Sequence, residues 1–434
     1  MKPRRSNRKR LVLVAAAILN FAGASYADKM LIVDDPIKAA QVRVDLMQQA
    51  QHTIKAQYFI VGSDPLTYSG LALAREAAWR GCDVRILIDA GFNGVPASVS
   101  GYLMTQGVQI KVYHPFSLAH LNWYTRRMHD KGLSIDGVKM IRGSRNVQDS
   151  YFGRAKTNFI DRDAYLEGQV VRDADSYFDK LWESAEVRWV DTRRLSLRQY
   201  QEGFSIIEDA LRKTAKSKKW KLQTGNDWGR GQPSAGRIDF FHDPVGKKDL
   251  EPGIAENLRD LLRTSRRSIL METPYLVPTP ELFREMRAAQ ARGVSSIEMI
   301  TNSLRSNDGL YAQAGYEAAK RKLLMGGVKL WEYKALDTLH AKSAVLDGHW
   351  AIIGSFNVDP RSQRLNTETA VAVDNRKLAA ELARDINAHK ASSWPIGLDG
   401  RPTEDALGYP RAPLSRRIKL TLLRIMLPLF WSQI

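Results

Sequence analysis

Cysteine is almost missing: Cys82 is the only one in 434 residues. That excludes a disulfide framework and any zinc site built on two thiolates. No uncharged apolar run reaches about 18 residues, which excludes a polytopic membrane protein. No low-complexity block occurs and 44% of the residues are hydrophobic, so the chain is not disordered. Acidic residues are the minority charge, 47 Asp and Glu against 65 Lys and Arg, leaving a formal net charge of +18. Such a surplus suits an anionic partner: nucleic acid, an acidic membrane surface or a phosphorylated substrate.

The surplus is concentrated at the ends. Lys2, Arg4, Arg5, Arg8, Lys9 and Arg10 precede an apolar run over 11–24 and then Ser25-Tyr26-Ala27. This pattern reads as a secretory signal peptide, or as an uncleaved N-terminal anchor, over 1–27. At the other end, Arg416, Arg417, Lys419 and Arg424 interleave with leucines and isoleucines, and no acid occurs over 412–434. A cationic apolar segment over 401–434 suits a helix lying in a membrane interface, or one docked on the protein's own core.

An internal repeat decides the fold. His129-Asp130-Lys131 runs through Leu133-Ser134-Ile135 to Asp136-Gly137. His340-Ala341-Lys342 runs likewise to Asp347-Gly348. Both blocks continue into Gly-Ser-x-Asn, at Gly143-Ser144-Arg145-Asn146 and Gly354-Ser355-Phe356-Asn357. The offset is constant at 211 (340 − 129, 347 − 136, 357 − 146). Each copy alternates helical and strand patterns: helices over 37–51, 70–80, 253–264, 279–292 and 313–325, and strands over 54–61, 84–88, 108–113, 268–272 and 297–301. The expected architecture is α/β, with two pseudo-symmetric α/β sandwich domains over 28–200 and 236–400. The lysine- and arginine-rich stretch between them, within 201–235, reads as a solvated linker or as a phosphate-facing rim.

The repeated block has a chemical logic. Strand, Asp-Gly, strand predicts a hairpin. Residues i and i+2 of a strand share a face, so His129 and Lys131 point together, as do His340 and Lys342. Asp136 and Asp347 belong to the motif, yet their odd offset turns them to the other face, where they would hold the turn or a buried hydrogen bond. Asp130 should face away from the histidines by the same period. Ser144 with Asn146, and Ser355 with Asn357, can share a face on the returning segments. Two His, two Lys and two Asn converging between the copies suit a phosphodiester. Lysine and asparagine would donate to phosphoryl oxygens, one imidazole would attack phosphorus, and the other would move the proton of the alcohol. That inventory asks for no metal and no cofactor.

On these residues the chain resembles the phospholipase D superfamily, whose double His-x-Lys-x4-Asp motif it matches twice. Asp149, Tyr151 and Phe152, Thr301-Asn302-Ser303-Leu304, and the run over 354–362 continuing to Asn366-Thr367-Glu368 resemble bacterial cardiolipin synthases, closest to their type C group. The resemblance implies two phospholipase D-like domains with the active site at their interface. It implies a catalytic set of His129, Lys131, Asp136, His340, Lys342 and Asp347, with Ser144, Asn146, Ser355 and Asn357 on the substrate phosphate. Glu368, and more weakly Asp163, would orient a histidine, and His129 would be the nucleophile. The implied activity is phosphatidyl transfer, making cardiolipin from phosphatidylglycerol and a second phospholipid such as phosphatidylethanolamine, through a phosphohistidine. Hydrolysis to phosphatidic acid, a nuclease, and a non-catalytic relative that binds lipid or DNA stand as alternatives. The implied partners are phospholipids and an anionic membrane surface, with an accessory protein left open. The implied setting is the bacterial inner membrane, peripheral or N-terminally anchored, and a secretory leader would place the chain on the periplasmic side.

The other histidines, His52, His114, His120, His242, His349 and His389, lack metal-ligand spacing and are expected on the surface or in loops. Trp123, Tyr124, Trp331 and Tyr333 read as core or as a lipid-facing rim. Asn302 and Arg305 read as headgroup contacts or helix caps. Tyr58 and Tyr275, at the ends of matching strands, read as residues approaching the pocket.

Overall fold

The computed structural model describes residues 28–217, 222–246, 253–403 and 412–430. The leader over 1–27 lies outside the described residues. The first half runs β1 (Lys29–Val33), α1 (Pro36–Gln49), β2 (Thr53–Tyr58), α2 (Pro65–Trp79), β3 (Asp83–Asp89), α3 (Ala97–Thr105), β4 (Val108–Tyr113), β5 (Lys131–Ile135), β6 (Lys139–Gly143), β7 (Phe159–Ile160), β8 (Asp163–Glu167), α4 (Gln169–Trp182), β9 (Val187–Trp189) and α5 (Leu197–Lys216). The second runs β10 (Ile238–His242), α6 (Ile254–Thr264), β11 (Ser268–Glu272), α7 (Pro280–Ala291), β12 (Ser296–Asn302), α8 (Leu310–Met325), β13 (Lys329–Tyr333), β14 (Thr338–Leu339), β15 (Ser343–Leu346), β16 (Trp350–Gly354), α9 (Pro360–Arg364), β17 (Thr369–Asp374), α10 (Arg376–Ala391), β18 (Ser393–Pro395) and α11 (Leu414–Phe430).

Each half builds one mixed eight-stranded sheet, and the two strand orders correspond: β1-β8-β6-β5-β2-β3-β4-β9 and β10-β17-β16-β15-β11-β12-β13-β18. In each, the middle trio is parallel, β2-β3-β4 and β11-β12-β13. Helices of the crossovers between parallel strands cover the sheets, as the alternating pattern requires. Helices start where the sequence supplies a cap: Asp35, Asp64 and Thr279 accept the first free N–H groups of α1, α2 and α7, each followed by proline in the first turn.

The two sheets share a core. Met30, Ile32, Met140 and Leu166 of the first half pack in one cluster with Ile300, Val345, Ile353 and Val371 of the second, flanked by α4 and α10. Buried Arg162 strengthens this seam, pairing with Glu272 across it and donating to Ser343 Oγ at 3.0 Å, while holding Asp34 on its own side at 2.6 Å.

The expected linker departs from its boundaries. Helix α5 extends to Lys216 and buries Gly203, Ile207 and Ala210, and the core cluster it joins also contains Tyr102 of α3 and residues of α2. The next segment is also tied down: Gly225, Asn226 and Trp228 all donate to Asp45 of α1. The cations of 212–216 therefore ride on a packed helix of the first half. Helix α11 docks on the protein's own core along one face. Leu420 and Leu423 pack on Val277, Ala314 and Leu304, while Leu414, Ile418, Leu422, Ile425 and Met426 stay exposed. Among the described residues no helix is long and apolar enough to cross a membrane.

Candidate active site

Each Asp-Gly pair closes a tight hairpin, β5-β6 and β15-β16. Asp136 and Asp347 both take φ +53, and the glycines that follow take +64 and +72. Positive φ at both central residues is the turn geometry that suits the twist of a hairpin. The two carboxylates then do the same job. Asp136 accepts from the backbone N–H groups of Gln51, His52 and Thr53 at 2.8–2.9 Å, and Asp347 from those of Arg266, Arg267 and Ser268 over the same range. Both thus anchor the entry of the neighbouring strand, remote from the histidines.

The histidines sit just ahead of β5 and β15, on backbone tied to the opposite half. His129 N–H donates to Thr367 O at 3.0 Å, and His340 N–H to Ile160 O at 2.7 Å. The side chains repeat this exchange. His129 Nδ1 meets Glu368 Oε2 at 2.9 Å, and His340 Nδ1 meets Asp161 Oδ1 at 2.7 Å. Each half therefore orients the other's imidazole, fixing Nδ1 as the donor to a carboxylate and leaving Nε2 for chemistry. Both rings are buried, 5% and 4% exposed. Phe59 meets His129 edge-on at 4.8 Å, and Phe159, Tyr151 and Tyr275 surround His340 at 5.2–6.4 Å.

Lys131 and Lys342 are buried beside them. Each Nζ donates to the carbonyl of its own histidine, and Lys342 Nζ also lies 3.0 Å from His340 Nε2. Burial pushes these ammonium groups down, Lys131 to about 7 and Lys342 to about 8. Burial, then the two lysine charges and His340, holds His129 well below the ordinary imidazole value. His340 is lowered by burial, against the pull of Asp161. The carboxylates diverge. Burial raises Glu368 to about 7, whereas His340, Arg145 and Lys342 outweigh burial at Asp161 and keep it well below the usual carboxylate range. Crowded cations with weakened proton affinity are a site that an anion relieves.

The asparagines are near at hand. Asn146 Oδ1 accepts from Ile60 N–H at 3.1 Å, which turns its amide nitrogen to the Tyr151 side. Asn357 is buried, with Oδ1 unpartnered among the described residues. The serines differ from expectation. Ser144 Oγ donates to Arg162 O and accepts from Arg162 N–H, and Ser355 Oγ donates to Glu368 and accepts from Thr369 N–H. A hydroxyl has one proton, and both are already given to protein, so neither serine is left to donate to a phosphate. Ser355 instead fixes the carboxylate that holds His129.

Other expectations are corrected here. The carboxylate on His340 is Asp161; Asp163 is engaged with Arg43 and Arg145. The spacing shows why: Glu368 follows its asparagine by 368 − 357 = 11 residues, and Asp161 follows Asn146 by 161 − 146 = 15, so the first copy carries an insertion of four. Asp130 does face away, bonded by Tyr177 and Thr367 hydroxyls at 2.8 and 3.1 Å. His114 lies in the loop after β4, as expected, but is buried there, stacked between Tyr113 and Trp123 and paired with Glu186. Trp123 and Tyr333 are core, whereas Tyr124 is exposed. Asn302 braces the backbone of Leu339, just before His340. Tyr58 accepts from Arg43 in the core, and Tyr275 approaches His340.

Comparison with known proteins agrees with this architecture. Residues 44–182 and 258–390 each match the family described as "Cardiolipin synthase, PLD-like domain". Cardiolipin synthase C of Escherichia coli is 28% identical over 85% of this chain and 86% of its own length. An uncharacterized protein of Helicobacter pylori is 26% identical over 86% of this chain and 83% of its own, and cardiolipin synthase 2 of Bacillus anthracis 26% over 90% and 68%. The crystal structure of phosphatidylserine synthase from Haemophilus influenzae superimposes with a TM-score of 0.70 at 14% identity, covering 94% of this chain and 95% of that one. At that identity the likeness concerns the fold.

Proposed function

This chain belongs to the PLD-like domain family of cardiolipin synthases, and from that premise we propose that it is a phosphatidyltransferase joining two phospholipids into cardiolipin through a phosphohistidine. In the first step His129 Nε2 attacks the phosphorus of the donor lipid. A P–N bond forms, the P–O bond to the headgroup breaks, and His340 protonates the departing alkoxide. In the second step the headgroup hydroxyl of phosphatidylglycerol gives its proton to His340, its oxygen bonds phosphorus, and the P–N bond breaks to restore His129. Lys131, Lys342, Asn146 and Asn357 hold the phosphoryl oxygens and spread the charge that develops on them. Glu368 supports the positive ring of the covalent intermediate. Asp161, ionised, supports His340 when it carries the proton. The donor and acceptor lipids lie in an anionic bilayer, to which the net charge draws the protein.

The observation that carries this reading is the reciprocal pairing of His129 with Glu368 and of His340 with Asp161. It supplies two histidine–carboxylate couples, with acids of unlike proton affinity, at one buried, cation-rich site. The test is turnover of mixed phosphatidylglycerol and phosphatidylethanolamine vesicles by the full chain, followed by mass spectrometry, with His129→Ala and His340→Ala alongside. Cardiolipin from the wild type and from neither variant is the expected result. Phosphatidic acid without cardiolipin would make the protein a hydrolase. No lipid change, with DNA cleavage by the same preparation, would make it a nuclease.

A further inference from the structure

Phosphatidyl transfer between two lipids poses a binding problem that the paired histidines do not solve. The acceptor, phosphatidylglycerol, brings its own phosphodiester, which does not react. While its hydroxyl approaches phosphorus, this second anion sits one three-carbon bridge away from the first. The site therefore needs a second cation, and an acceptor for a glycerol hydroxyl, beside the reaction centre.

Two side chains on the His340 side have this chemistry and no other evident use. Asp308 is exposed, in the turn between β12 and α8. One of its oxygens accepts from the Tyr275 hydroxyl at 2.8 Å, and the Tyr275 ring stands 6.4 Å from that of His340. Through Tyr275 it therefore stands at the rim of the site, and its negative charge favours the charged forms of His340 and Lys342. A carboxylate there repels a phosphate, and only a hydroxyl or an ammonium group gains from it. Arg416 lies in the first turn of α11, on the face that carries Leu420 and Leu423 onto Val277 and Ala314. Ala314 is in the first turns of α8, six residues beyond Asp308, which is the acid whose charge reaches Arg416. Yet no ion pair or hydrogen bond joins the two among the described residues. Arg416 Nε and Nη2 are buried without a hydrogen-bond partner there. Several described arginines leave one buried guanidinium nitrogen unpaired, but among them Arg416 alone leaves two, and a planar fork of this kind matches a phosphate.

We infer that Asp308 and Arg416 form the headgroup subsite for the acceptor lipid, with Arg416 on its unreacting phosphodiester and Asp308, braced by Tyr275, on its glycerol hydroxyls. The assignment rests on the transfer reading above. The placement of α11 serves the same end. Its outward face of Leu414, Ile418, Leu422 and Ile425 follows an i, i+4, i+8, i+11 spacing, flanked by Arg417, Lys419 and Arg424. That face enters the surface of an anionic bilayer, and Arg416, one turn inward, meets a headgroup from the same leaflet.

The product ratio tests this. Vesicles of phosphatidylglycerol and phosphatidylethanolamine are turned over by full-length wild type, Arg416→Gln, Asp308→Asn and, as a charge control at an exposed position of α7, Arg287→Gln. Arg416→Gln and Asp308→Asn should each lower the ratio of cardiolipin to phosphatidic acid about tenfold and raise the KM for phosphatidylglycerol, because water then competes better for the phosphohistidine. Arg287→Gln should leave the ratio unchanged. Millimolar inorganic phosphate should not alter the wild-type ratio; a drop that vanishes in Arg416→Gln would make this a site for free phosphate and overturn the lipid assignment. Ratios equal to wild type in both variants, or a matching drop in Arg287→Gln, would overturn it as well. A wild type that consumes no lipid would refute the transfer reading itself.

Discussion

Glu368→Gln separates charge from geometry at His129. The substituted side chain keeps an oxygen for His129 Nδ1 and for Ser355, and alters the contacts from Asn366 at 3.4 Å and from the Ser362 hydroxyl. What it removes is the negative charge. On the proposed mechanism the ring turns positive when phosphorus joins Nε2. With about 4 Å between charge centres and an effective dielectric constant of about 20, the lost attraction is about 4 kcal/mol. That corresponds to a rate loss of about 10²–10³-fold. Stability should move the other way. Burial raises the Glu368 carboxyl from 4.5 in the unfolded chain to about 7. Between those values the native state holds a proton that the unfolded chain has released, so this group makes stability fall as pH rises through that window. Glutamine abolishes this slope, and the variant should gain up to about 3 kcal/mol at pH 8 relative to wild type. Vesicle turnover at pH 8.5 and melting temperature from pH 5 to 8 measure the two effects. Turnover within about threefold of wild type would refute the electrostatic role, and a loss of activity that tracks a fall in melting temperature would show that the residue only holds the fold.

Anion binding should take up protons. Lys131 and Lys342, lowered to about 7 and about 8, are partly neutral at pH 8, and a phosphate beside them restores the ammonium form. Calorimetric titration with inorganic phosphate at pH 8, in buffers of different ionisation enthalpy, should report uptake of about one proton; none, or release, would contradict the buried-lysine account. Asp347→Ala should lower stability by about 2–4 kcal/mol in urea unfolding, from three lost backbone hydrogen bonds and a strained positive φ, while turnover per folded molecule stays at the wild-type level. A fall in turnover at full folding would move that aspartate into the chemistry.

The sequence disclosed the fold because the duplication did. A constant offset of 211 over the motif marks two equal units, and Asp-Gly between apolar runs places both hairpins. Period-two alternation correctly set His129 with Lys131 and turned Asp130 away, since it is a local property of one strand. It failed wherever the partner came from the far half. Asp161 meets a histidine 179 positions away, and an insertion of four residues hid its equivalence to Glu368. Ser144 and Ser355 lie on the expected segments, but the Arg162 carbonyl and the Glu368 carboxylate, just ahead of β8 and β17, take their protons. The basic stretch over 212–221 reads as a linker because its charges are frequent, yet 212–216 belong to α5. Ile207 and Ala210, which anchor that helix, are too few to stand out.

The exchange of carboxylates has an evolutionary reading. In a symmetric dimer of identical halves, one residue must serve both copies, and any change in it is made twice. Joining the halves in one chain lifts that constraint. Here one copy offers a glutamate, the other an aspartate on a longer loop, and their proton affinities lie far apart. The two imidazoles thereby face unlike acids, while the contacts still run crosswise between the halves. A severed half would keep its histidine and lose the group that aims it.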